Sequence, residues 1–344
     1  MGVQISDIIP RKEIELSDLK GKIIAIDAFN TLYQFLTTIR QQDGTPLMDL
    51  KGKITSHLSG LLYRNINLLA EGISLVYVFD GAPPELKLRE IEERQKAKDI
   101  AKEKFEDAKE REEEKEMKKY ASQTVKLTKE IIEESKELLN ALGIPIVQAN
   151  GEGEAEAAAI AQNKFAWASA SQDYDSLLFG APRLIRNLTL SRKRRTSSGA
   201  IVDVNIEMIE FEDVLTKLQI NKDQLICLAV LVGTDYNPGG VRGIGQKRAL
   251  EIVQKYQYPF PIFDYVANSG KYSLDFDWQE VYKQFKDFTS ITTEKIPELK
   301  INKEKIIEIL VTRHEFSIER IDSALDKLKV LEENKKQKGL NEFW

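Results

Sequence analysis

The chain has 344 residues, 42% hydrophobic and 31% charged, with a formal net charge of −5. That length suits about two domains or one large α/β domain with a sizeable core. The near balance of 50 basic and 55 acidic side chains excludes choosing a partner from net charge, so the local distribution has to decide.

The N-terminus, MGVQISDIIPRK, has no signal-peptide hydrophobic stretch, and no apolar run reaches bilayer length, so no membrane is expected. Gly2 followed by Ser6 meets only a loose myristoylation pattern and is set aside. From residue 21, GKIIAIDAFN is an apolar run ending in Asp27. ITSHLSGLLYRNINLLAEG has helical spacing and stops at Gly72, and ISLVYVFDG is a second run, ending in Asp80. Residues 85–120 are poor in Gly and Pro and rich in Glu/Lys pairs at i, i+4, which favours helix. Their apolar positions are too sparse for a coiled coil, and by themselves they read as a solvated helix or charged linker. TKEIIEESKELLNALG is helical up to Gly143, IPIVQANGE leads to Glu152, and FAWASASQDYD ends in Asp173 and Asp175. Short apolar runs separated by helical patterns predict buried parallel strands in an α/β fold.

Metal chemistry is narrowed by what is scarce. Cys227 is the single cysteine, in QLICLAVLVG, and His57 and His314 are the two histidines. No intrachain disulfide can form, Cys227 reads as a buried core thiol in a reducing interior, and a Cys/His zinc site is all but excluded. Oxygen ligands remain, which favour magnesium or manganese.

Asp27, Asp80, Glu152, Asp173 and Asp175 all follow apolar runs, where open α/β sheets bind ligands. The stretch NGEGEAEAAA, 150–159, adds Glu154 and Glu156 before a run of alanines. Acids also suit helix N-termini, so Glu154 or Glu156 alone reads as a helix start. Glu152 and Glu154 converge only if the glycine-flanked segment between them is irregular. Taken together, so many acids would repel unless cations neutralise them. Two divalent ions about 3.5–4 Å apart are the usual solution for phosphodiester hydrolysis. A metal-dependent nuclease follows as a hypothesis.

LVGTDYNPGGVRGIGQKRALEIV, 231–253, brings Asp235 after an apolar helix-like run and then Gly239, Gly240, Gly243 and Gly245. Gln246 breaks the phosphate-loop pattern and Arg248 breaks the dinucleotide fingerprint. What remains is a Gly-Ile-Gly turn opening a helix, with Lys247 and Arg248 in its first turn. It reads as a plain helical connection or as a holder of DNA phosphate through backbone N–H groups. The basic run SRKRR, with Arg192, Lys193 and Arg194, is a solvated loop or a further phosphate contact.

IAIDAFNTLYQFL, VYVFDGAPPELK, GEGEAEAA, SQDYDSLLFG and GTDYNPGGVRGIGQKRAL, in that order, resemble the flap endonucleases of the structure-specific 5′ nuclease superfamily. The resemblance runs from MGVQ to the last residue. It implies a central, mostly parallel sheet flanked by helices, in one nuclease domain over 1–330. A helical arch would span 85–120, a helix–two-turn–helix element 225–260, and a flexible tail 331–344. It implies that Asp27, Asp80, Glu152 and Glu154 hold one metal ion and Asp173, Asp175 and Asp235 a second, some through water; Glu156 is left to the helix start. Lys87 and Arg94, at i, i+7, would face the scissile phosphate from the base of the arch. Tyr33 would stack on a base, Arg40 and Arg64 would contact substrate, and Gly2 would lie at the site once Met1 is removed. The Gly243–Gly245 turn would hold duplex with a monovalent cation. Gln337, Leu340, Phe343 and Trp344 in QKGLNEFW match a sliding-clamp motif, and a chain ending there fits an archaeal-type member.

The expected activity is a two-magnesium 5′ flap endonuclease and 5′–3′ exonuclease, acting as a monomer on DNA inside the cell, in Okazaki-fragment maturation and repair; manganese would substitute. The alternatives are a gap, bubble or junction nuclease of the same superfamily, or a non-catalytic clamp-tethered scaffold.

Overall fold

In a computed structural model that describes residues 2–41, 43–111, 113, 116, 120, 124–195, 201–292, 297 and 300–328, the four apolar runs that lead to Asp27, Asp80, Glu152 and Asp173 each become a strand, and the helix-like run before Asp235 is a helix. In chain order the elements are β1 (Lys12–Ile14), β2 (Ile23–Asp27), α1 (Ala28–Thr38), α2 (Ser56–Ala70), β3 (Ser74–Phe79), α3 (Glu85–Glu110), α4 (Lys129–Ala141) and β4 (Ile146–Gln148). Then come α5 (Gly153–Gln162), β5 (Ala168–Ala170), α6 (Asp175–Leu178), β6 (Arg183–Arg186), β7 (Lys193–Arg195), β8 (Ile201–Asp203), β9 (Ile206–Glu210) and α7 (Phe211–Leu218). The chain continues with α8 (Lys222–Val232), α9 (Gln246–Lys255), α10 (Pro259–Asn268), α11 (Trp278–Lys286) and α12 (Lys303–Ile307), and residues 318–328 are helical. The clamp-motif residues Gln337, Leu340, Phe343 and Trp344 lie outside the described residues.

Seven strands pair in the order β1-β9-β6-β5-β2-β3-β4. β2 is parallel to β3 and β5, β3 to β4, and β5 to β6, whereas β9 is antiparallel to both β6 and β1. The sheet is therefore mixed, with a parallel centre. Both faces are covered, which is why β2 and β3 read as unbroken apolar runs rather than alternating ones. On one face Ile24, Ile26, Leu75, Tyr77 and Phe79 pack with residues of α1, α2 and α4. On the other, Ala25, Val76 and Val78 meet Ala157 and Ile160 of α5. The alanine run of α5 is thus core: small side chains let the helix lie close against the strands.

The helix stops at Gly72 and Gly143 are left-handed turns, with φ of 80° and 73°. Cys227 is fully buried in α8, as its apolar surroundings implied. α3 is one continuous helix through residue 110, and Leu88, Ile91 and Ile100 are exposed along it.

Candidate active site

The carboxyl ends of the parallel strands deliver their acids to one edge of the sheet. Asp27 closes β2 and caps α1, its Oδ1 accepting the Asn30 N–H at 3.1 Å. Asp80, after β3, accepts the Gly153 N–H at 2.6 Å. Asp173 accepts the Gly2 N–H at 3.1 Å and Asn30 Nδ2 at 2.9 Å, and Asp175 accepts the Val3 N–H at 2.8 Å. Glu154 accepts the N–H and hydroxyl of Ser176 at 3.1 and 2.9 Å. These bonds steer both oxygens of Asp173 and one oxygen of each of the others. The second oxygen of Asp27, Asp80, Glu154 and Asp175 has no hydrogen bond among the described residues.

The convergence of Asp80 with Glu152 depends on glycine. Gly81 N–H donates to the Gly151 carbonyl at 2.6 Å, and a Cβ on Gly81 would sit 2.3 Å from the carbonyl oxygens of Ala149 and Asn150. Glu152 is extended, with φ −75° and ψ 129°, and α5 begins only at Gly153. The irregular backbone that Glu152 and Glu154 need in order to meet is therefore present. Glu152 does not cap its helix. It pairs with Lys87 Nζ and accepts the Tyr236 hydroxyl at 2.8 Å. Asp235 comes from the loop after α8, where it meets Lys87 Nζ at 3.3 Å and Arg94 Nη2 at 2.9 Å.

Burial and mutual repulsion push these acids towards their neutral forms. Asp27 rises to about 8, through burial and then Asp80, against the Asn30 N–H that holds it down. Asp175 rises to about 7, through burial, Asp235, Asp173 and Glu152. Asp80 rises to about 6, mainly by burial. Glu154 is pushed well up by burial, Asp175, Asp173 and Asp27 in that order. Burial alone would lower Lys87, but Glu152, Asp235 and Asp80 outweigh it and hold the ammonium above its usual range. The acids form one field, with Glu154 and Asp175 each repelled by members of both expected ligand sets.

Tyr33, on α1, receives Lys98 of α3: Nζ donates to its hydroxyl at 3.0 Å and lies 4.7 Å from the ring centroid. Gly243, with φ 87°, and Gly245, the N-cap of α9, form the expected turn, and Lys247 and Arg248 are exposed just beyond it. A cleft of about 940 Å³ connects this turn to the acids, lined by Gly2, Asp173, Arg186, Gly245, Lys247 and Arg248. The remaining basic residues are placed differently from one another. Arg40 donates to the Gly44 carbonyl at 2.7 Å. Arg192 donates to the carbonyls of Asn187, Leu188 and Val204 at 2.9–3.2 Å, bracing its own loop, with half-buried Arg64 near enough to lower its pKa after burial itself. Lys193 is exposed, and Arg194 sits in β7, paired with Val202.

Residues 1–101 match the XPG N-terminal domain and residues 143–235 the XPG I-region. Flap endonuclease 1 of Pyrococcus furiosus is 50% identical over 346 residues, covering all of this chain and 99% of that one. The chain belongs to the flap endonuclease family. A solved flap endonuclease-1 from Methanococcus jannaschii is 41% identical and superposes with a TM-score of 0.76, over 97% of this chain and 100% of that one. The catalytic core of Rad2 in complex with DNA substrate, 24% identical, shares the fold with a TM-score of 0.71, over 95% of this chain and 100% of that one. As a flap endonuclease of the archaeal type, the chain is a nuclease acting on DNA.

An all-oxygen donor set, with an oxygen of Asp27, Asp80, Glu154 and Asp175 left without a hydrogen bond among the described residues, fits hard divalent cations. Among the described residues, no three His, Cys, Asp or Glu side chains close around one point as a bound ion requires. Instead Glu152 and Asp235 are engaged by Lys87 and Arg94. Several participants escaped the sequence reading. Asn30 links Asp27 to Asp173, Tyr236 holds Glu152, and Ser176 holds Glu154. Their one signal was adjacency, since Tyr236 follows Asp235 and Ser176 follows Asp175.

Proposed function

We propose that this flap endonuclease hydrolyses a phosphodiester bond at or near the junction of a 5′ single-stranded flap and duplex DNA, with a 5′–3′ exonuclease activity from the same site. Asp27, Asp80, Glu152 and Glu154 would hold one divalent ion and Asp173, Asp175 and Asp235 a second. Bound magnesium, or manganese in its place, supplies Lewis acidity towards water and phosphate. The observation that carries this reading is the convergence of acids from five separate segments into one buried field, in which each raises the cost of its neighbours' charge.

The chain's own residues divide the rest of the work. Lys87 and Arg94 exchange Glu152 and Asp235 for the scissile phosphate and stabilise charge developing there. Tyr33 gives up Lys98 and offers its ring to a base. The N–H groups opening α9, with Lys247 and Arg248, hold duplex phosphates without reading sequence, beside a monovalent cation at the Gly243–Gly245 turn. Gly2 closes the floor beside Asp173. Residues 85–120 would serve as the arch and 225–260 as the duplex-holding element, and Gln337, Leu340, Phe343 and Trp344 would dock on a sliding clamp. No helix among the described residues is long and apolar enough to cross a membrane. The proposed setting is intracellular DNA, in Okazaki-fragment maturation and repair, with the enzyme a monomer by itself.

The deciding experiment is cleavage of an end-labelled 5′ flap in magnesium and then in chelator, beside bubble and four-way-junction DNA. The expected result is a released flap, a 5′ phosphate on the duplex strand, and no cutting in chelator. Preferred cutting of the bubble or junction would replace this reading with the related one.

A further inference from the structure

Glu156 is fully buried, yet it has no part in the acidic field. It projects from the first turn of α5 to a segment more than 130 residues away. Its Oε1 accepts the Ser290 hydroxyl at 2.7 Å, the Thr292 hydroxyl at 2.6 Å and the Thr292 N–H at 3.1 Å, and its Oε2 accepts the Ile291 N–H at 3.2 Å. Four donors on one buried carboxylate fasten residues 290–292 to the helix that presents Glu152 and Glu154.

The stretch just before it makes two further contacts. Phe285, at the end of α11, packs its ring 5.1 Å from Tyr236, the residue that follows Asp235 and holds Glu152. It also lies 5.0 Å from Phe179, which follows α6 and so backs Asp175, and Phe288 lies 5.6 Å from the same ring. Residues 285–292 therefore meet three segments that carry or adjoin acids of the site: α5 through Glu156, Phe179 just after α6, and Tyr236 beside Asp235. Glu154 and Asp175, on two of these segments, repel one another.

We propose that Glu156 is a positioning residue: with residues 285–292 it forms a latch that fixes the spacing of Glu152 and Glu154 against Asp175 and Asp235, and thereby sets affinity for divalent cations. It touches neither metal nor substrate. The latch rests on the two-ion reading above, in naming what the spaced acids bind.

The test is calorimetric titration of DNA-free protein with manganese, for the native chain, Glu156→Gln, Thr292→Val and Glu156→Ala, with heat-denaturation midpoints and flap binding in chelator measured alongside. Gln keeps an acceptor but sets an amide against one donor, and Val removes one hydroxyl. Supporting groups of this kind are worth roughly 10–100-fold in metal affinity. The expected result is manganese affinity weakened about tenfold by Gln and less by Val, with flap binding in chelator unchanged and cleavage rate restored at saturating metal. Unchanged manganese affinity in folded Glu156→Gln and Thr292→Val would overturn the latch. So would a loss of affinity that merely tracks loss of thermal stability across the three variants. Should the native chain bind two manganese ions yet fail to cut flaps, the functional reading falls while the latch is still measured.

Discussion

Lys87 Nζ and Arg94 Nη2 approach the same oxygen, Asp235 Oδ2, at 3.3 and 2.9 Å. They stand seven residues apart on α3, two turns that return them to one face. Two cations on one carboxylate, with Glu152 beside them, mark the place where a phosphate would have to compete.

Lys87→Ala and Arg94→Ala should therefore each slow single-turnover flap cleavage by about 10²–10³-fold, the usual cost of one lost donor to developing charge. Flap affinity measured in calcium should move by only a few-fold. A collapse of binding with the rate preserved would mean that these residues hold DNA and do nothing for the chemistry.

Asp175→Asn should abolish cleavage while keeping flap binding, and in chelator at pH 8 it should raise the melting temperature. Burial and three acidic neighbours push Asp175 up to about 7, so at pH 8 it carries its charge at a cost to the fold. An amide keeps an acceptor for the Val3 N–H without the charge. Calorimetry in chelator checks this, and a lower melting temperature would show that the bond to Val3 outweighs the repulsion.

Linkage gives the pH dependence of the metal-free protein. Asp27, Asp80 and Asp175 rise from an ordinary 3.8 to about 8, 6 and 7. A group raised in the folded state contributes stability below its unfolded pKa and loses it as pH rises through the folded value. The melting temperature in chelator should thus fall as pH rises from about 4 to about 8. Magnesium should reverse the fall and release protons on binding, measurable as buffer-dependent heat. A flat profile in chelator would contradict the picture of an uncompensated acidic field.

His57 should impose an acid limb. It is fully buried, its ring nitrogens have no hydrogen-bond partner among the described residues, and burial, then His314, push it from 6.5 down to about 3. With a depressed folded value the stability is present above about pH 6.5 and lost as pH falls towards 3. His57→Leu should flatten stability between pH 4 and 6, read from urea midpoints.

For the tail, Leu340→Ala with Phe343→Ala should remove clamp-stimulated cutting while leaving unstimulated cutting unchanged. Cleavage assays with and without clamp make the comparison, and stimulation that survives would refute the motif.

The positions of Asp27 and Asp80 were legible because each ends or follows a run of β-branched and apolar residues, and a parallel strand hands its last residue to the same edge as its neighbours. Cys227, the stops at Gly72 and Gly143, and the helix from residue 85 were legible for similar local reasons. Glu156 was only half legible. Its place in the first turn of α5 follows from the sequence, but its partners, Ser290 and Thr292, carry no motif at all. Arg192 was half legible in the same way: the basic run was plain, but the three carbonyls its guanidinium bonds, of Asn187, Leu188 and Val204, were not.

By itself, then, the sequence determined which residues carry charge, where strands and helices begin, and the family to which their order belongs. Those properties are set by spacing along the chain. Only the tertiary structure decided which groups stand within about 3 Å of one another: Tyr236 on Glu152, Asn30 between Asp27 and Asp173, Lys87 and Arg94 on Asp235. Hydrogen bonds and the repulsion that raises a buried carboxyl act through space over a few ångströms, and residues far apart in the chain acquire those distances only when the sheet and its helices pack.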